Sequence, residues 1–501
     1  MPTLTIDGTE YEVAEGRTIL QAIDDLGLLM DQVEIPHYCW HPKLPIDGSC
    51  RLCQVEVEGI PKLQIACDTR VQDGMVVHTK TQRVQDARRG VMELLLINHP
   101  LDCPICDQAG ECKLQDYAFE YGVQHARTEE PRRPAKKATS LGPTIVFDQE
   151  RCILCRRCVR FCREIPKTGE LGVFQRGDES LLELFPGSEL DNPYSMNVAD
   201  ICPVGALTTK DFRFKLRVWF LDDVNSVCNQ CSNGCNISIG RSNNKVYRYL
   251  PRRNDAVNDT WICDQGRLSY KALDEGRLRS ARGNGREAPY SSALREASAL
   301  LRQARESGGR IVGIASPFVP NEDLYLFREL LSALGAEPAT FRVPTGEADD
   351  LLIKAEKAPN AAGARALGFA EAAPPEDAAE LASVLGAGDL ALDRVAGSIV
   401  IDAYDSPLAQ SARVALPARN FLERAGSFTN HAKRVQCFEA ALEPDFEAWS
   451  EGELLSRIAA GADVEGFEAR FEPARVLKQL AVTVPAFARC LAIDDQGVEL
   501  S

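Results

Sequence analysis

The stretch NHPLDCPICDQAGECKLQ, residues 98–115, places three cysteines at C-x2-C-x5-C spacing. Three thiolates at fixed positions on one loop call for one more soft donor, and no further cysteine lies nearby. His99 stands four positions before Cys103, within loop reach. His99, Cys103, Cys106 and Cys112 therefore read as the ligands of a [4Fe–4S] cluster, with His125, Asp102 and Asp107 as weaker donors. A neutral imidazole in place of a thiolate leaves a cluster less negative and easier to reduce, as in Rieske centres.

On the N-terminal side, QRVQDARRGVMELLLI (82–97) puts Val84, Ala87, Val91 and Leu94 at helical spacing, and the apolar VMELLLIN reads as part of a buried helix. CKLQDYAFEYG (112–122) predicts a second helix after the loop, and the Pro- and Lys/Arg-rich stretch 129–143 predicts a linker. Farther upstream, TLTIDGTEYEV and CQVEVEG alternate as strands and TILQAIDDLGLL (18–29) reads as a helix, giving a small mixed sheet over residues 1–80.

The same chemistry recurs three times. Cys39, Cys50, Cys53 and Cys67 follow C-x10-C-x2-C-x13-C, a variant of the plant-type pattern that suits a [2Fe–2S] cluster on loops of a β-rich domain. Gly48 and Ser49 precede Cys50, where a glycine lets backbone N–H groups turn towards sulfur; four thiolates also bind zinc, which is the competing reading. RCILCRRCVRFC (151–162) resembles a bacterial ferredoxin run. The last cysteine of such a run serves a second cluster, but no second run exists, and Cys202 lies in the Cys-Pro context of DICPVGAL. Cys152, Cys155, Cys158 and Cys202 are thus assigned to one [4Fe–4S] cluster and Cys162 to a buried spare, with nearby arginines offsetting cluster charge. Cys228, Cys231, Cys235 and Cys263 make a third [4Fe–4S] set, three ligands on one loop and a distant fourth. Cys437 and Cys490 have no metal role that spacing suggests.

Bulk composition agrees. Of 18 cysteines, 16 precede residue 264, and such clustered thiols point to metal or catalysis. A chain of 501 residues calls for several domains. A net charge of −16 disfavours nucleic acid as a partner. No apolar run reaches the roughly 18–20 residues of a membrane span, and the start MPTLTIDGTEYEV lacks a secretory pattern. The chain reads as cytosolic, with any membrane link running through a partner.

Beyond about residue 285 the character changes to α/β. SSALREASALLRQARESGG predicts a glycine-stopped helix, RIVGIAS a buried strand, NEDLYLFRELLSALG an Asn-capped helix ending at Gly335, and GSIVIDAY (397–404) another strand. Residues 361–396 are loosely patterned. GNGREA (283–288) and GAGDLA (386–391) match glycine-rich fingerprints, but no strand precedes either, so the first reads as a loop and neither as a nucleotide site. No Ser/His/Asp constellation stands out. The chain reads as a wire for electrons without a bond-making site.

These sets in this order resemble the large, G-type iron–sulfur subunit of bacterial respiratory complex I, NADH:quinone oxidoreductase. HPLDCPICDQAGEC, RCILCRRCVRFCRE, DNPYSMNVADICPVGALT and VCNQCSNGCNISI carry the resemblance, as does the gap of 43 residues between Cys158 and Cys202. It implies a β-grasp [2Fe–2S] ferredoxin-like domain (1–80), a His/Cys-ligated [4Fe–4S] domain (81–125), a ferredoxin-like [4Fe–4S] domain (144–215), and a third [4Fe–4S] domain (218–274). Residues 275–501 resemble a molybdopterin-oxidoreductase α/β domain lacking a metal site, with Gln265 where molybdenum enzymes commonly carry a lysine. The implied function is electron transfer from a flavin/NADH-oxidising subunit towards quinone. The implied partners are that subunit, a small [2Fe–2S] subunit, a two-[4Fe–4S] subunit and quinone-module subunits, on the cytoplasmic side of the inner (plasma) membrane. A molybdenum or tungsten formate dehydrogenase, or the electron-transfer subunit of an NAD-linked hydrogenase, is the alternative.

Overall fold

A computed structural model describes residues 1–122, 125, 127–373, 379–385, 395–467 and 470–501. GAGDLA (386–391) lies outside the described residues, but what precedes it is the strand Ala379–Leu385, not the helix-like stretch its sequence suggests. Two compact units emerge, Met1–Leu221 and Asp222–Ser501. No helix among the described residues is long and apolar enough to cross a membrane.

The first unit opens with a five-stranded mixed sheet in the order Thr9–Glu12, Thr3–Ile6, Met75–His78, Gln54–Val57, Gln64–Ile65. Alternation drives it: Leu4, Ile6, Val55 and Val57 face inward, each at most 3% exposed. The helix Ile19–Asp25 lies on this core. It is shorter than its sequence suggests, because Thr18 and Gln21 form a capping box at one end and Gly27, at φ +69°, turns the chain at the other.

The helix Gln82–Leu96 starts on the Thr81 side chain and delivers the chain to the His99 loop, as expected. Its buried stripe is Val84, Arg88 and Met92, whereas Leu94 is 70% exposed. The apolar pattern misplaced that face. Buried Arg88 holds it, its guanidinium donating to the Gln54 carbonyl and the Tyr121 hydroxyl. The second helix is Lys113–Tyr121, and residues 129–138 carry neither helix nor strand. The unit is completed by a three-stranded sheet (Leu207–Thr209, Ile145–Phe147, Thr139–Ser140), the helix Arg157–Glu164 and the hairpin Leu171–Phe174/Leu181–Leu184.

The second unit begins with the antiparallel meander Asp222–Val227, Asn236–Ser242, Lys245–Pro251. An eight-stranded sheet follows. Six of its strands are parallel, in the order Val414–Pro417, Val395–Asp402, Ala379–Leu385, Ile311–Ile314, Thr340–Phe341, Ala370–Glu371. Numbered along the chain this is 6-5-4-1-2-3, the doubly wound arrangement with its switch point between Ile311–Ile314 and Ala379–Leu385. Helices Tyr290–Ser307, Asn321–Ala333 and Glu451–Gly461 help to build its core.

Two expectations change here. GNGREA is a hairpin: Arg282–Gly283 pairs with Arg286–Glu287 across Asn284 and Gly285, both at positive φ, the backbone of a tight two-residue turn. Asn321 does not cap its helix. It is the first helical residue, after Pro320, and its buried amide bonds Ser427 and Thr429 instead.

Candidate metal centres

Cys39, Cys50, Cys53 and Cys67 meet at the edge of the first sheet. Cys39 hydrogen-bonds with Cys50 and Cys67, and Cys53 with Cys67. Those thiols, followed by the backbone N–H groups of Cys50 and Ser49, hold the Cys39 thiol well below its ordinary pKa. Gly48 at φ +67° is what turns those N–H groups towards sulfur.

In the opening stretch, Cys103–Ile105 form a single 3-10 turn. Cys103 is exposed; Cys106 and Cys112 are buried, and burial raises both thiols, Cys112 to about 11. Cys112 precedes a helix, so the N–H groups of Gln115 and Leu114 reach its sulfur. Both buried thiols feel the charge of Cys103. Arg151 is an electrostatic neighbour of both His99 and Cys106. Burial, with Arg151 adding to it, lowers His99 to about 4, so its ring is neutral at neutral pH, as a ligand must be. Its buried Nδ1 has no hydrogen-bond partner among the described residues. The weaker donors are engaged elsewhere or outside: Asp102 pairs with Lys137 (2.6 Å) and Arg151 (3.1 Å), Asp107 accepts the Phe214 N–H, and His125 is exposed.

Cys152, Cys155, Cys158 and Cys202 line one small cavity, together with Leu154, Arg156, Arg157 and Val204. Leu154 and Arg156, both at positive φ, wrap the loop around it. Backbone N–H groups point at its sulfurs, from Leu154 to Cys152, from Arg157 to Cys155, and from Val204, Leu207 and Ala206 to Cys202. Such an array favours a bound anionic cluster. Cys162 does not line this cavity. It is fully buried against Glu170, which also accepts from Thr168 and Asn192. Cys162→Ala is therefore expected to leave iron content unchanged, whereas Cys202→Ala should remove about four irons per chain by elemental analysis.

Three of the sets adjoin within the first unit. The loop after Cys202 touches the second set: the Cys112 sulfur lies 3.9 Å from the Pro203 carbonyl, and a Cβ on Gly205 would stand 2.3 Å from the Cys106 sulfur. Cys155 is an electrostatic neighbour of Cys39. Between these sets the Arg160 guanidinium donates to the carbonyls of Pro45 and Cys39, and Arg157 to those of Trp40 (2.5 Å) and Ile201 (3.2 Å). The arginines read as charge compensators thus also tie the two loops together.

The fourth set lies in the second unit. Cys228, Cys231 and Cys235 are buried and Cys263 is half-buried. Cys228 feels Cys235, Cys263 and Cys231 in turn. Gly266 N–H donates to the Cys263 sulfur at 3.2 Å, and a Cβ on Gly266 would stand 3.1 Å from the sulfurs of both Cys228 and Cys263. Gln265 is exposed. Among the described residues no three His, Cys, Asp or Glu form a group fit for a single metal ion. The glycines at 205 and 266 escaped the sequence reading, since only the folded loops show what their missing side chains admit.

Four iron–sulfur families match this chain: a 2Fe-2S iron-sulfur cluster binding domain over residues 1–82, the NADH-ubiquinone oxidoreductase-G iron-sulfur binding region over 88–127, the NADH-quinone oxidoreductase subunit 3 ferredoxin-like domain over 142–208, and the NADH-ubiquinone oxidoreductase NDSU1/NuoG-like 4Fe-4S domain over 221–271. The G-type subunit of NADH-quinone oxidoreductase from Rickettsia felis is 43% identical over 340 residues, 67% of this chain and 50% of that protein. The chain belongs to this G-type family. Within the family, the mitochondrial NADH-ubiquinone oxidoreductase 78 kDa subunit of Neurospora crassa is 40% identical over 348 residues, 68% of this chain and 46% of that one. The chain spans about half the length of these G-type relatives. Among solved structures, an NAD+-reducing [NiFe]-hydrogenase in the H2-reduced state is 31% identical, covering 43% of this chain and 91% of that one, with a TM-score of 0.38. As in the family, 2Fe–2S and 4Fe–4S binding domains are both present.

Proposed function

We propose that this chain is the iron–sulfur electron-transfer subunit of an NADH:quinone oxidoreductase, taking electrons from a flavin/NADH-oxidising subunit and passing them towards quinone. The observation that carries the reading is the adjacency of three thiol sets in one unit, the third set joined to the first through Arg157 and Arg160 and to the second through Pro203–Gly205. A carrier chain needs neighbouring centres and no substrate pocket between them.

Cys39, Cys50, Cys53 and Cys67 would hold one [2Fe–2S] cluster; His99 with Cys103, Cys106 and Cys112, Cys152 with Cys155, Cys158 and Cys202, and Cys228 with Cys231, Cys235 and Cys263 would each hold a [4Fe–4S] cluster. The cavity bordered by four thiols, the His99 Nδ1 without a partner among the described residues and the close approach of the Cys228 and Cys263 sulfurs to Gly266 fit such groups. Bound clusters supply reversible one-electron exchange. The protein supplies ligands, N–H donors to sulfur and buried cations. The partners under this reading are the flavin-bearing subunit, a small [2Fe–2S] subunit, a two-[4Fe–4S] subunit and the quinone module, with the chain peripheral on the cytoplasmic side of the membrane. The five domains 1–80, 81–125, 144–215, 218–274 and 275–501 then correspond to the four cluster holders and an α/β scaffold.

The test is metal analysis of the chain purified without air. About 14 irons per chain with no molybdenum, tungsten or zinc is the expected result. Stoichiometric molybdenum or tungsten would make this a catalytic dehydrogenase, and zinc in place of iron would make the thiol sets structural. In the same preparation His99→Cys should retain its four-iron cluster at a lower potential, because thiolate adds negative charge. An unchanged potential would remove His99 from the ligand set.

A further inference from the structure

We infer that Asn233 is a positioning residue that raises the electron affinity of the fourth set by holding an N–H on the Cys235 sulfur, and that His431 holds Asn233 in that pose. The inference rests on the fourth set carrying a cluster, as proposed above. Asn233 Nδ2 lies 3.1 Å from Cys235 Sγ, and the residue is 3% exposed. Its amide has two ends to satisfy in a buried setting. With Nδ2 on sulfur, Oδ1 must accept, and the His431 ring Nε2 lies 3.3 Å from it. His431 therefore carries its proton on Nε2.

The clamp extends beyond that pair. His431 sits in the turn that follows the strand Gly426–Thr429. From the same turn, Asn430 Nδ2 donates to the Asn233 carbonyl at 3.2 Å, and the His431 N–H donates to the Ser232 carbonyl at 2.7 Å. Gln436 Nε2 donates to the Gly234 carbonyl at 3.0 Å. Three consecutive carbonyls of the Cys231–Cys235 loop are thus held by one hairpin, remote in sequence. The sulfurs of Cys39, Cys112, Cys202 and Cys263 are met by backbone N–H groups; at Cys235 the Asn233 side chain joins the residue's own N–H, and that side chain is exchangeable by mutation.

A thiol sulfur is a weak acceptor, whereas a cluster-bound thiolate is charged and takes a stronger bond. The bond strengthens further when the cluster gains an electron. A fixed donor therefore favours the reduced form and raises the potential.

The experiment is a redox titration of the full chain, followed centre by centre by EPR, in the wild type, Asn233→Leu, His431→Ala and His431→Gln. Asn233→Leu should shift the reduced-to-oxidised ratio of the fourth centre, at fixed potential, by roughly three- to tenfold towards oxidised. At 59 mV per tenfold for one electron, that is a fall of about 30–60 mV. The other three centres should not move. His431→Ala should give a smaller shift in the same direction, and His431→Gln, which keeps a donor, should restore it. A fourth centre present at unchanged potential in Asn233→Leu overturns the inference, as does an equal shift of all centres. Should Asn233→Leu fail to assemble the fourth centre, the surface variants decide: equal potentials in His431→Ala and His431→Gln overturn it. Absence from the wild type of the four-iron centre assigned to Cys228, Cys231, Cys235 and Cys263 would be a failure of the cluster assignment itself, and is seen before any variant is compared.

Discussion

Gly205→Ala is expected to cost the chain its second cluster while the other centres survive. The glycine has an ordinary backbone, so the constraint is space alone. An added Cβ would stand 2.3 Å from the Cys106 sulfur and 3.0 Å from the Gln108 Cβ, closer than non-bonded atoms approach. Neither side can yield cheaply. Cys202, an iron ligand under this reading, fixes the loop on one side, with the Val204, Leu207 and Ala206 N–H groups on its sulfur. Iron would fix Cys106 on the other, and metal–sulfur distances tolerate only about 0.2 Å. The measurement is iron content with EPR: a loss of about four irons and of one set of signals, with the remaining spectra unchanged. Gly90→Ala serves as the control, since Gly90 lies inside the helix Gln82–Leu96 with nothing within 4 Å of an added Cβ. It should keep every cluster and stabilise the helix by about 0.5–1 kcal/mol. A Gly205→Ala protein with full iron and unshifted signals would mean that Cys106 is no ligand.

The sequence is legible where the constraint is local. Ligand spacing within a loop is written in consecutive residues, so Cys152, Cys155 and Cys158 and the C-x2-C pairs of the other sets were visible. Cys202 was separable from Cys162 by its following proline; in the structure Cys202 lines the cavity with Cys152, Cys155 and Cys158, and Cys162 does not. Helix stops at Gly308 and Gly335 were equally legible, both being left-handed positions that glycine suits. What failed depends on partners far along the chain. Leu94 looked like a core residue until Arg88 took the buried stripe with the help of Tyr121 and Gln54. Asn321 looked like a cap until Ser427 and Thr429 claimed its amide. The strand order of the second unit was out of reach for a plainer reason: Thr340–Phe341 and Ala370–Glu371 are two residues each, too short for any alternation to register.

Arg277→Met is expected to loosen the second unit more than any surface change. The Arg277 side chain is 1% exposed and forms a two-pronged pair with Glu423, at 2.9 and 2.8 Å. The guanidinium also donates to the carbonyls of Ala403 (3.1 Å) and Ala418 (3.3 Å), the residues just beyond the neighbouring parallel strands Val395–Asp402 and Val414–Pro417. Glu423 in turn accepts the Asn420 N–H at 2.9 Å. Methionine fills much of the volume but leaves the buried Glu423 carboxylate with the Asn420 N–H and no cation, takes one of two donors from the Ala403 carbonyl, whose other is the Leu278 N–H, and removes the Arg277 donor from the Ala418 carbonyl. Breaking such a buried pair from one side costs about 3–5 kcal/mol. Hydrogen exchange read on peptides covering residues 399–417 should therefore quicken by two to three decades, since each decade is about 1.4 kcal/mol of opening free energy. The double variant Arg277→Met/Glu423→Gln separates charge from packing. Removing the stranded charge should recover part of the loss, because the penalty lies in the unpaired carboxylate more than in the missing pair. Exchange as slow as wild type in the single variant would show that these strand ends are held by the hydrophobic core alone. A double variant as fast as the single one would place the cost in the two carbonyls, and with it the role of Arg277 as a brace between the ends of adjacent strands.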